Sequence, residues 1–354
     1  MNSNEGKSKR TVGIVITIIA VIVTVVGIIF TIGMKNREQI PSSPEAAETA
    51  APTASAAPTP KPEALPTREI AYNKYLISPL VEKYTAPNEE LYKLVFDAVD
   101  NFETSVAVQN FAPTNEEVAK ISEAVFDRSE FLYLESIAPS ADGTAIQIKY
   151  RPEFTKETAM QSKEKFRKNV ESLLHSEVLP TYSDLEAVLS LYTYLSKNST
   201  YNTQAADVGA YGMMVNREGI CTGYAYALRY LFDQLGIENH LAFSNDESHI
   251  WNIVKLGNSY YHIDATWENA ADKSVQTLIH FGQDDATRKS LSGFDGWYTR
   301  VNSFQEKMPA PECTSAAFAF LGNADTAHVN FNDHAIEYVD FNGNKYSEDI
   351  SKLS

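Results

Sequence analysis

Residues 11–33, TVGIVITIIAVIVTVVGIIFTIG, run for 23 positions without one charged side chain. As a helix that run spans about 34 Å at about 1.5 Å per residue, enough to cross the hydrocarbon core of a bilayer. Lys7, Lys9 and Arg10 precede it; Lys35 and Arg37 follow, partly offset by Glu38. The positive flank sets residues 1–10 in the cytoplasm as a short tail and the remainder outside. A cleaved signal peptide fits less well, because the run exceeds the usual apolar region of about 7–15 residues and no small-x-small site follows it. The expected arrangement is a single-pass anchor in the cell membrane with an extracytoplasmic folded part.

Residues 34–68 are expected to link anchor and fold. The stretch 41–67 holds seven of the chain's 15 prolines and almost no bulky apolar residue. Such a segment cannot bury enough surface to offset its ordering entropy, so it reads as a disordered, semi-rigid stalk. Beyond it the chain has the means to fold: 44% of the whole is hydrophobic, with 19 Tyr and 17 Phe. Net charge is −16, and residues 1–40 contribute +3, so the remainder carries −19. A surface of that sign repels phosphates and excludes nucleic acid as a partner.

Hydrophobic spacing predicts helices at 88–102, capped by Asn88, and at 114–126, where Thr114 and Glu117 form a capping box. Two strand-like runs follow at 130–137 and 144–150, then helices at 155–176 and 183–196. A helix from Cys221 to about Leu235 is stopped by Gly236. Strand-like runs at 249–256 and 260–267 turn at Gly257-Asn258, and Asn342-Gly343-Asn344 reads as a hairpin turn. Helices first and strands afterwards indicate an α+β fold. The expected divisions are 69–180, an α/β leader; 181–300, the core; and 301–354, a strand-rich extension.

Two cysteines make no disulfide framework, although a single Cys221–Cys313 bridge is open to an extracytoplasmic protein. Cys313 lies in a proline-flanked loop, PAPECTSAAF, without catalytic context. Cys221 stands at a helix start, where the positive end of the dipole lowers a thiol's pKa and unpaired N–H groups can hold an oxyanion. Gly219 and Gly223 are expected to leave room there for a substrate backbone. Gly-x-Cys-x-Gly alone is equally compatible with a packed structural cysteine.

The hairpin downstream favours chemistry. With a two-residue loop, facing residues across the strands have numbers that add to 515, so Trp251 faces Asp264 and His249 becomes a diagonal neighbour of Asp264. A three-residue loop would send the two to opposite faces. In the first register Ile250, Val254, Leu256, Tyr261, Ile263, Ala265 and Trp267 share the other face, apolar but for Asn252. That face is expected to pack the core while its opposite presents an imidazole oriented by a carboxylate. His249 would serve as base for a thiol, with Asp264 fixing its tautomer. His262, on the face of Asp264, is a candidate supporting residue, as is Trp251. His249, His262 and Asp264 lack a fourth ligand and zinc-type spacing, so no metal or other cofactor is expected.

GICTGYAYALRYLFDQLGIE and HIWNIVKLGNSYYHIDATWEN together resemble the core of the transglutaminase-like superfamily, with papain-like Cys-His-Asp order. The Gly-x-Cys-x-Gly helix start, the His-x-Trp-Asn strand and the His-x-Asp-x-Thr-Trp strand each match, and the resemblance spans most of 70–300, including a leader like that of membrane-attached and secreted bacterial members. It implies Cys221 as nucleophile, His249 as base and Asp264 as orienting acid. It implies a helix bearing Cys packed on an antiparallel sheet bearing His and Asp. Family members often have a Tyr ahead of the nucleophile, which makes Tyr201 a candidate oxyanion donor. The activity so implied is acyl transfer from amide or peptide bonds through a thioester, as peptidase, deamidase or transglutaminase. Hydrolysis is favoured because nothing marks an amine-acceptor site. Tethering points to protein or peptide substrates at the cell envelope. The alternative is a non-catalytic surface binding module on the same scaffold.

Overall fold

Four of the longer helices start on local capping side chains in the computed structural model, which describes residues 67–268, 276–301 and 307–353. The anchor expected at 11–33 and nearly all of the stalk lie outside those residues. Among the described residues no helix is long and apolar enough to cross a membrane.

The first part contains α1 (Pro79–Thr85), α2 (Glu89–Asp100), β1 (Ser105–Ala107), α3 (Asn115–Phe126), β2 (Leu134–Pro139) and β3 (Ala145–Tyr150). Asn88 accepts from Leu91 N–H at the start of α2, and Thr114 with Glu117 closes both halves of a capping box at α3. The strands form an antiparallel sheet of order β1-β3-β2. α4 (Lys156–Glu177) and α5 (Asp184–Asn198) follow, each opened by its own capping box. β4 (Thr200–Tyr201), α6 (Ala210–Asn216), β5 (Glu218–Gly219) and α7 (Cys221–Gln234) lead into β6 (Asn239–Ser244), β7 (Ile250–Leu256) and β8 (Ser259–Ile263). α8 (Asp285–Ser292), β9 (Trp297–Arg300), β10 (Ala324–Asn330), β11 (Ala335–Asp340) and β12 (Lys345–Asp349) complete a mixed α/β fold. Lys289–Phe294 holds the second half of α8, and just past the helix end the N–H of Gly293 bonds Lys289 O at 3.0 Å.

The sheet that matters for the site has order β8-β7-β6-β9, antiparallel throughout. Leu256 pairs with Ser259 and Asn252 with Ile263, the register expected from a two-residue turn. Gly257 at that turn takes φ 58°, a left-handed backbone that glycine adopts without a Cβ penalty. Only one face of the hairpin was expected to be buried; both are. Along β7, Ile250, Trp251, Asn252, Ile253, Val254 and Leu256 are all buried. Val254, Leu256, Tyr261, Ile263 and Ala265 join the main core, whereas Trp251 and Ile253 lie under other segments. Trp267, expected on the core face, instead stacks on His249, because β8 ends at Ile263 and the chain turns before reaching it.

Among the described residues two large apolar cores stand out, with a small third cluster of Ala225, Leu241 and Ile250 beside Cys221. One gathers α1 to α3 with β2 and β3, and reaches Ala159 in α4. The other begins at Phe166 in the same helix and extends through α5, α6 and α7 to Phe318, Ile336 and Ile350. The change of core therefore falls inside α4 rather than at 180, and residues after 301 help fill the second core.

The glycines near Cys221 serve packing rather than substrate entry. A Cβ on Gly223 would stand 2.8 Å from the carbonyl oxygen of Val208 and 3.3 Å from the Met213 methyl; one on Gly219 would meet the same two groups at 3.2 and 3.3 Å. Their bare backbones let the 208–213 segment close on the start of α7. Alanine at 223 gains about 1 kcal/mol of helix propensity but must displace a backbone carbonyl, at a cost of about 1–3 kcal/mol or more. Gly223→Ala is expected to lower the thermal unfolding midpoint, and a variant melting at or above wild type would contradict this packing.

Candidate active site

α7 starts at Cys221 because Gly219 and Ile220 are extended and the helical residues begin directly after. Ile220 caps it without a side-chain hydrogen bond, so no capping side chain occupies the N–H groups around Cys221. The helix lies on β6 and β7. Asn252, the polar exception on its strand face, donates its amide to Ala225 O of α7 at 3.0 Å. That bond ties the nucleophile's helix to the histidine's strand.

His249 immediately precedes β7, and its Nε2 meets Asp264 Oδ2 at 2.7 Å. Both are buried, with 9% and 1% exposure. Cys221 hydrogen-bonds the same imidazole, which leaves Nδ1 as the nitrogen that faces sulfur. Burial favours the neutral thiol, but the hydrogen bond and charge of His249 and the N–H of Ile250 outweigh it, holding Cys221 below its ordinary value. Burial likewise favours neutral imidazole, yet Asp264 and Cys221 raise His249 to about 9. Burial would lift Asp264; His249 and Arg288 together keep its carboxyl well below the usual carboxylate range. The arrangement favours a thiolate beside an imidazolium near neutral pH.

Tyr201 comes to the site through backbone pairing: β4 runs parallel to β5, with Tyr201 opposite Gly219. It is 40% exposed, so it is no core residue. Burial of its hydroxyl, then the charges of Cys221 and Asp264, push it up to about 12, so it stays a proton donor.

Trp251 and His262 also meet, though not at Asp264. Trp251 Nε1 donates to His262 Nδ1 at 2.9 Å, and His262 Nε2 lies 2.9 Å from Asp285 Oδ1. Cys313, expected to lack catalytic context, is fully buried beside Asp285: its carbonyl oxygen accepts the Asp285 N–H at 2.8 Å, and its thiol reaches Pro311 O at 3.8 Å. His262, Asp285 and Cys313 thus bring three donor atoms within 4.8 Å of one another. Their bonding does not suit a metal. An indole N–H can only donate, so His262 Nδ1 is the acceptor and its Nε2 carries the proton. Burial keeps this histidine neutral. His262 and Asp285 form a hydrogen-bonded prop for Trp251. Both cysteines are free thiols, so the Cys221–Cys313 bridge is absent.

Arg288 is the participant that sequence reading missed. It is fully buried and donates Nη2 to Asp264 Oδ2 at 2.9 Å. Nothing in DDATRKSLS, a short polar helix 24 residues past Asp264, distinguishes this arginine from a solvated one.

Residues 173–265 match the family model described as Transglutaminase-like superfamily. Solved structures that resemble parts of the chain include a candidate cysteine protease from Cytophaga hutchinsonii, at 19% identity and TM-score 0.23, over 30% of this chain and 38% of that one. Another, described as a TGase, has 17% identity and TM-score 0.28 over 54% and 57%. The chain covers less than two thirds of either. No curated protein matches it.

Removing Asp264 alone strands a buried guanidinium. Asp264→Ala is expected to cost about 3–5 kcal/mol, and the double variant Asp264→Ala/Arg288→Met to melt above it, since the unpaired cation is gone. Thermal melts of both decide the point; a double variant less stable than Asp264→Ala would contradict it.

Proposed function

We propose that this chain, whose residues 173–265 form a transglutaminase-like core, is a cysteine-dependent acyl-transfer enzyme acting on amide or peptide bonds. The supporting observation is the hydrogen-bonded line from Cys221 through His249 to Asp264, with the half-buried thiol held below its ordinary value by His249. Cys221 Sγ attacks the carbonyl carbon, and the C=O π pair moves to oxygen. The N–H of Cys221 at the start of α7 and the hydroxyl of Tyr201 hold that oxyanion. When the tetrahedral centre collapses, the C–N bond breaks and His249 Nδ1 gives its proton to the departing amine. A thioester remains on Cys221. His249, now neutral, takes a proton from water as the water oxygen bonds the acyl carbon, and sulfur leaves as thiolate. An amine in place of water would make the same centre a transferase; hydrolysis is the favoured outcome.

The apolar run at 11–33 and the proline-rich stretch after it support a reading in which this chemistry acts outside the cell membrane, on peptides or proteins of the envelope. The acidic balance of the chain keeps nucleic acid away from it.

Iodoacetamide labelling of the full-length protein near neutral pH tests the reading. Cys221 should alkylate at least about tenfold faster in wild type than in His249→Ala, because an ordinary thiol is only a few per cent ionised there. Slow labelling at one rate in both proteins would instead leave a binding module on an enzyme-like scaffold.

A further inference from the structure

Arg288 does more than occupy a buried site beside Asp264. It meets Oδ2 at 2.9 Å, the same oxygen that His249 Nε2 meets at 2.7 Å. Asp264 Oδ1 accepts the N–H groups of Thr266 and Trp267 at 3.1 and 3.3 Å. The guanidinium carbon stands 4.1 Å from the ring centre of Trp251 and 4.6 Å from that of Trp267. Those indoles are the rings beside His249, with centroids 5.8 and 4.9 Å away and planes within 19° of the imidazole. One cation therefore touches the carboxylate that orients the base and both rings that flank it.

We propose that Arg288 is a positioning residue: held against Trp251 and Trp267, it neutralises Asp264, so that the carboxylate orients His249 without locking the proton onto it. The proposal rests on the reading of His249 as the acid and base of the reaction. Such a group must take and release one proton in each cycle. A buried carboxylate acting with its full charge from 2.7 Å would make release unfavourable. Arg288 shares that oxygen and turns an anion into one end of an ion pair.

Among the described residues, the other ionisable groups around the pair do not supply this effect. Cys221, from α7, adds negative charge next to His249, and Tyr201, from β4, stays protonated. His280, packed beside Asp264, is held neutral by burial. Glu268 is committed to Tyr192 of α5, to Thr277, and to the N–H groups of Ile279 and His280. Among the described residues, Arg288 is the permanent cation paired with Asp264.

The test is a titration of His249 by NMR on the full-length chain with labelled histidines, the signal being assigned by its loss in His249→Gln. Wild type should release the proton near pH 9. Arg288→Gln and Arg288→Met should each move that midpoint upward by about one unit, a tenfold gain in proton affinity. Arg288→Lys, which keeps the charge and loses the planar fork, should move it less than either. A purely structural arginine would lower the melting temperature without moving the midpoint upward, and a midpoint unchanged or lowered in the folded neutral variants overturns the proposal. Should neither neutral variant fold, the wild-type titration decides: a proton retained beyond about pH 11 means that Asp264 acts with its full charge, which also overturns it. No turnover is needed, so a chain whose Cys221 fails the alkylation test still gives a separate answer here.

Discussion

The carboxylate of Asp264 is the point on which this site depends. It is almost completely buried, and an ionised carboxylate so placed survives only if its lone pairs are occupied. They are: two backbone N–H groups meet one oxygen, and an imidazole and a guanidinium meet the other. Each donor answers a different need. The N–H groups come from the turn that immediately follows Asp264, so the chain's own exit from β8 fixes one oxygen. Imidazole and guanidinium then compete for the second. The balance between them governs how basic His249 is, and through His249 how much of Cys221 is thiolate.

Much of this was legible before any coordinates. The hairpin register follows from loop length and from apolar alternation, and Leu256 opposite Ser259 agrees with it. That parity alone brings His249 and Asp264 together. Capping residues Asn88 and Thr114 marked helix starts because their side chains satisfy N–H groups locally. The illegible parts depend on tertiary placement. Alternation gave one apolar face to the hairpin, but it could not show that Trp251 and His262 were also covered. Trp267 was placed on the wrong side because a period of two continues only while the strand does. Arg288 and Cys313 carry no local pattern at all; they become informative once the segments after 280 fold back over β8. Asn252 was the one visible irregularity that pointed to a real contact.

The glycines around Cys221 show how a correct motif can carry a mistaken cause. Open space for a substrate is one reason to omit a Cβ; close backbone approach is another. The distances to Val208 and Met213 decide for the second at both Gly219 and Gly223. The lead-in to the nucleophile is thus packed against its helix, and β4 is paired with β5 by the same stretch of chain. Tyr201 is brought beside Cys221 by that pairing, which links the proposed oxyanion donor to the nucleophile through backbone rather than through side-chain packing.

A nucleophile on a helix is only as well placed as the helix. α7 is held near its start by Asn252 and further along by groups from the leader: Arg229 pairs with Asp127 at 2.8 Å, and Tyr230 donates to Glu130 at 3.0 Å. Glu130 is itself fully buried and bonded by Arg128, with Arg167 of α4 at 3.4 Å. Buried ionic clusters of this kind contribute little net stability compared with apolar packing, but breaking one is costly. Their value here is geometric. They admit few alternative positions for α7, since sliding it by one residue would separate both Arg229 and Tyr230 from their acids. The leader is therefore a brace for the helix that carries Cys221, and the sheet bearing His249 and Asp264 meets that helix at a position set from both ends.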